Sequence, residues 1–127
     1  MKLTTNELQF MNVLWKSDTP LTSADILKRS VEKTWKDASL HTILKKLLDK
    51  GAIIEHGFCK DGKAISRTFV PALSYEDYYA SLFSDFPAKS IPRFFSALVH
   101  RSDFDDSTMQ KLEEILKERY EELKNDK

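Results

Sequence analysis

Apolar residues between positions 35 and 51 fall at Leu40, Ile43, Leu44, Leu47 and Leu48. Steps of three and four put them on one side of a helix, leaving Ser39, His41, Thr42, Lys45 and Lys46 to point elsewhere. Asp37 or Ser39 is placed to cap this helix, and Gly51 to end it in the left-handed conformation that glycine enters cheaply. Upstream, Leu8, Met11, Val13, Leu14 and Trp15 predict a first helix over about residues 6–16, with Thr4 or Thr5 at its N-cap. Pro20 breaks the pattern. Thr22, with Asp25 three residues on, predicts the capped start of a short second helix ending near residues 30–33, with Ile26, Leu27 and Val31 on its buried side.

Behind the third helix the period changes from helical to strand-like. Residues 53–59 and 64–70 flank Lys60-Asp61-Gly62-Lys63, and Asp-Gly between two such runs predicts a hairpin. Three short helices followed by a β-ribbon spell a winged helix-turn-helix over residues 1–72. In that geometry the last helix enters the major groove, with its N-terminal residues near base edges. Ser39, His41, Thr42 and Lys45 are then the candidate base readers, since hydroxyls, imidazole and ammonium all bond to base edges. Lys46 sits further round, toward backbone. Lys60, Lys63 and Arg67 on the wing are placed to track phosphates or the adjacent minor groove, which positions the protein without specifying sequence.

Residues 73–127 return to helical spacing and are strongly aromatic. Tyr75, Tyr78, Tyr79, Leu82, Phe83 and Phe86 form one group; Ile91, Phe94, Phe95, Leu98 and Val99 a second; Met109, Leu112, Ile115, Leu116, Tyr120 and Leu123 a third. Three amphipathic helices of this size have too little bulk to cover such faces within one chain. A second copy is the expected cover, giving a helical dimerisation arm with Tyr79, Phe83, Ile91, Phe94, Phe95, Leu98, Leu112 and Leu116 at its interface. The alternative is that the helices fold back on the winged helix as one monomeric core. The fold class expected is thus mainly α with a small β-hairpin wing, followed by a three-helix C-terminal arm.

Composition, charge and the residue types that are missing narrow this picture. The 127 residues are 41% apolar and 31% charged, which suits one domain with an appendage. Formal net charge is zero, yet residues 1–70 hold 12 Lys/Arg against 8 Asp/Glu, and residues 71–127 hold 8 against 12. A basic part beside an acidic part fits a DNA reader joined to a protein-contact module. The single cysteine, Cys59, and the absence of any Cys/His cluster leave disulfide and zinc chemistry without a basis. Without an apolar run of the ~20 residues a membrane span needs, the expectation is a cytoplasmic protein with no membrane association. No catalytic grouping or glycine-rich phosphate loop is present, so neither an enzyme nor a cofactor is expected. The competing reading is a winged helix used for protein contact without DNA binding.

The order of these pieces resembles a known family. The segment ELQFMNVLWKSDTPLTSADIL, residues 7–27, is similar to the opening of the penicillinase and methicillin-resistance repressors: an acidic residue, Met-x-Val-Leu-Trp, then Leu-Thr before the second helix. Residues 35–51 resemble their recognition helix, with Ser39 and Thr42 at the family's hydroxyl positions, and Arg67, Phe69, Pro71, Ser74 and Tyr78 continue the match. The resemblance implies a homodimeric repressor of β-lactam-resistance or other regulated genes, bound to palindromic double-stranded operator DNA. It further implies induction by a sensor-activated protease that cuts in the C-terminal region. Where the family is cut at Asn-Phe this chain has Ala97-Leu98, which departs from the cleavage pattern, and it lacks the cysteine cluster of the copper-responsive branch.

Overall fold

A computed structural model describes residues 1–126, with backbone alone at Asp61. The chain divides into two compact units, Met1–Ser84 and Asp85–Lys127. In the first, α1 (Thr5–Trp15) begins with a capping box: the Glu7 N–H donates to Thr4 Oγ1 at 3.2 Å, and the Thr4 N–H donates to Glu7 Oε1 at 2.9 Å. After a two-residue strand β1 (Leu21–Thr22), α2 (Ser23–Arg29) repeats the device with Thr22 and Asp25, at 3.1 and 3.2 Å. The helix stops at Ser30, whose hydroxyl folds back to the Ile26 carbonyl at 2.6 Å. Val31 therefore lies beyond α2 and is 86% exposed, not on the buried side that its spacing predicts.

The third helix, α3 (Leu40–Lys50), is entered through a 3-10 turn at Asp37–Ser39. Neither cap expected there forms. An N-cap needs extended backbone, whereas Ser39 is already helical (φ −83°, ψ −7°) and its side chain makes no capping bond. Asp37 instead pairs with Lys33 at 2.7 Å. Gly51 ends the helix as expected, at φ +76°, and the Ala52 N–H reaches back to the Leu47 carbonyl at 3.0 Å.

Strands β2 (Ile53–Asp61) and β3 (Ala64–Pro71) form the hairpin. Asp61 still pairs with Ala64, so the connection is Gly62-Lys63 alone, shorter than the expected loop over residues 60–63. Gly62 supplies the positive φ, +63°, that such a tight turn requires. Among the described residues the sheet is antiparallel in the order β1-β3-β2, with Leu21 opposite Phe69 and Thr22 opposite Thr68. Between the pairs Glu55↔Phe69 and Phe58↔Arg67, two residues of β2, His56 and Gly57, oppose Thr68 alone. This is a β-bulge. Gly57 takes φ +80°, and the Thr68 hydroxyl donates to both the His56 and Gly57 carbonyls.

Phe10, Met11, Leu14, Leu21, Ile26, Leu40, Ile43, Leu44, Leu47, Ile53 and Phe69 make the core, closed by Trp35 and Tyr78. Tyr78 belongs to α4 (Tyr75–Ser81) and accepts from the Leu3 N–H at 3.3 Å, while Trp15 Nε1 donates to the Leu73 carbonyl at 2.8 Å. These contacts make α4 part of the first compact unit, Met1–Ser84.

One buried charge ties the first helix to the third. Glu7 is 2% exposed, and Lys50 Nζ lies 2.6 Å from its Oε1. Burial pushes the Glu7 carboxyl up, but the bonds from Lys50 and Thr4 together outweigh it and hold the group below the ordinary value of 4.5. The pair's stabilisation is present above that ordinary value and lost as pH falls through the lowered one. Lys50→Met should cost about 2 kcal/mol at neutral pH, less than the ~3–5 for a fully buried pair because Lys50 is partly solvated. Urea melts of both proteins should converge as pH falls through the lowered Glu7 value, where the carboxyl is protonated and Lys50 has nothing to neutralise.

The second unit contains α5 (Ile91–Val99) and α6 (Asp106–Asn125). Asp105 caps α6 by accepting from the Thr108 N–H at 2.8 Å, a bond that also lowers the pKa of its carboxyl. Among its described residues none is buried.

Candidate nucleic-acid interface

The two sides of α3 are sharply different. Leu40, Ile43, Leu44 and Leu47 are buried, Leu48 is half-buried, and His41, Thr42, Lys45 and Lys46 are exposed. At 100° per residue, Thr42 and Asp49 lie opposite the buried row, with His41 and Lys45 on one flank and Ser39 and Lys46 on the other. Ser39, at the end of the 3-10 turn, is half-buried. The first two turns of the outward side thus offer a hydroxyl, an imidazole and two ammonium groups. Asp49 holds the only carboxylate on this side of α3, in its last turn. A helix anchored by four buried aliphatic residues presents such groups at fixed spacing, which is what reading successive base edges demands.

The hairpin supplies further cations. Lys60 and Lys63 are exposed near its tip. Arg67 is exposed too, but its guanidinium is already engaged: Nη1 pairs with Glu55, and Cζ lies 5.8 Å from the centre of the Phe69 ring. To reach a phosphate it must leave or share Glu55, a competition invisible in the spacing of the sequence. The same stretch displays Phe58 and Ile65, neither singled out by charge or motif. The glycine inside the strand-like run, Gly57, was the available signal, because an interior strand glycine marks a bulge.

The residues expected at a dimer interface divide between the two units. Tyr79, in α4, is half-buried beside Trp15 and against Tyr75 and Tyr78, with ring centres 4.7 Å from Tyr75 and 5.2 Å from Tyr78. Its ring therefore has neighbours in its own chain. Phe83, on a 3-10 turn at Leu82–Asp85, is half-buried. In the second unit, Ile91, Phe94, Phe95 and Leu116 are exposed, and Leu98 and Leu112 half-buried. Ala97 and Leu98 fall in the last turn of α5. Among the described residues no group of His, Cys, Asp and Glu could hold a metal ion, and no helix is long and apolar enough to cross a membrane.

A capped helix-turn-helix unit closed by an antiparallel hairpin defines a winged helix. The family model described as the penicillinase repressor matches residues 3–118, and the chain belongs to that family. It is similar to the penicillinase repressor of Bacillus licheniformis, at 32% identity over 72 residues. That match spans 57% of this chain and 52% of the relative, about half the length of each. Among solved structures it is similar to Bacillus subtilis PadR in complex with operator DNA (17% identity, 98% of this chain and 80% of that one, TM-score 0.45). A MepR mutant from a multidrug-resistant S. aureus clinical isolate matches at 14% identity, 93% and 77% coverage and a TM-score of 0.42.

Proposed function

We propose that this chain is a sequence-specific transcriptional repressor that binds double-stranded DNA through α3 and the hairpin. It acts as a homodimer on a palindromic operator, in the cytoplasm. The observation that carries the reading is α3 itself, rigidly seated on one side and presenting His41, Thr42, Lys45 and Lys46 on the other. Membership of the penicillinase repressor family supports the repressor role, and with it control of β-lactam-resistance or related genes.

The dimer rests on the second unit. Ile91 is 40% exposed, Ile115 60%, Leu116 53% and Leu123 48%, on helices without a buried residue. Apolar side chains exposed in a row mark a surface that another chain covers. A second copy also supplies the second reader, so that the two half-sites of a palindrome bind one dimer at high effective concentration. Ala97-Leu98 lies within α5, so a sensor-activated protease would have to unwind that helix to cut there.

Selecting bound sequences from a random DNA pool tests the whole reading. The expected result is an inverted repeat, bound with an affinity that falls by about 0.9 log units per log of salt for each phosphate neutralised. Recovery of no sequence, or an affinity flat in salt, would favour a winged helix used for protein contact.

A further inference from the structure

The hairpin's outer half carries a feature that charge alone does not explain. Directly opposed residues share a face, and the pairs Phe58↔Arg67 and Lys60↔Ile65 put these four side chains on one face. Nearer the core the same face carries Ile53 and Phe69, both buried, and Glu55, which lies opposite Phe69 and pairs with Arg67. Further out it continues as Phe58, 72% exposed, and Ile65, 68% exposed, alternating with Arg67 and Lys60. The bulge decides this arrangement. Were Gly57 paired regularly instead of bulged, the strand's alternation would turn Phe58 to the opposite face. A glycine at φ +80° and the double bond from the Thr68 hydroxyl to the His56 and Gly57 carbonyls hold the bulge in place.

We infer that this face is a minor-groove contact, with Phe58 as its apolar wedge and Ile65 beside it, against the stretch of DNA flanking the site of α3. The inference rests on the DNA-binding reading and extends it to a specificity-determining residue. Charge complementarity names the occupant: Lys60 on one side of the apolar pair, and Arg67 on the other once it exchanges Glu55 for a phosphate, face the two phosphate strands that border a groove. The pair itself meets sugars and the groove floor, the surface that phenylalanine and isoleucine side chains wedge against in minor-groove proteins. Lys63, exposed at the turn, adds a further cation at the hairpin's tip. Apolar contact favours A·T over G·C at the flank, because guanine places an amino group on the minor-groove floor that an aromatic ring cannot satisfy.

The test uses the full chain and its selected operator. Phe58→Ala should weaken binding about tenfold while leaving the slope of log affinity against log salt unchanged, since no phosphate contact is lost. Lys60→Ala should instead lower that slope by about 0.9. Exchanging the flanking A·T pairs for G·C should weaken the wild type and leave Phe58→Ala indifferent. Phe58→Leu, which keeps an apolar side chain, should retain most of the affinity. Far-UV circular dichroism should match for all variants, because Phe58 packs in no core. Unchanged operator binding by Phe58→Ala would overturn the inference while leaving the DNA reading intact. A change in dimer mass without a change in DNA binding would assign the face to a second copy instead. A wild-type chain that binds no DNA would overturn both readings.

Discussion

Ending the chain at Ser84 is expected to leave a folded monomer that binds its operator about 10²–10⁴-fold more weakly than the full chain. Among the described residues every buried one lies at or before Tyr78, so the shortened chain keeps its core, both capping boxes and the Glu7–Lys50 pair. What it loses is the second unit, whose helices hold no fully buried residue. Tethering converts the second half-site contact into an intramolecular event, and that gain disappears without any loss at α3 or the hairpin. Sedimentation of the two chains, together with titrations on a full operator and on a single half-site, checks this. The truncated protein should bind both DNAs alike, while the full chain should strongly prefer the full operator. Equal preference by both chains, or a dimer after truncation, would remove the arm from the function.

Replacing Lys45 and Lys46 together by Ala should weaken operator binding by about 10²–10³-fold and leave the melting temperature within a degree or two. Both side chains are exposed on the flanks of α3's outward side, away from the residues that anchor it, so no core contact is lost. The salt slope separates their roles. It should fall by about 0.9 for each of the two that meets a phosphate, and by less if Lys45 bonds to a base edge. The single variants, tested against operators altered one base pair at a time, locate that base: specificity relaxes at one position only where a base contact has been lost. Wild-type affinity in the double variant would move the interface away from α3.

Local period and local chemistry made much of the fold legible. The buried row Leu40, Ile43, Leu44 and Leu47 follows from a spacing set by the helix itself, and so does the exposure of His41, Thr42, Lys45 and Lys46. Thr4 with Glu7, and Thr22 with Asp25, form caps within four residues, and Gly51 ends α3 through its own φ. Other features failed where the deciding partner was remote or the element too short to carry a pattern. Strand β1 is two residues long, too few for any alternation, and exists because β3 lies beside it. Val31 fits the apolar spacing of α2, yet Ser30 ends the helix first. Ser39 has the composition of a cap and the backbone of a helix.

By itself, then, the sequence determined the first three helices, the N-caps of α1 and α2, the hairpin and the polar side of α3, because the groups involved lie within a turn or a strand of one another. Only the tertiary structure decided that Glu7 is buried on Lys50, 43 residues away, and that Tyr78 completes the first unit's core. It also decided that Arg67 is held by Glu55, and that a bulge pinned by Thr68 turns Phe58 to the face of Lys60 and Arg67. Each of these depends on which segments the fold brings together and in what register, and register is a property of the assembled sheet, not of either strand alone.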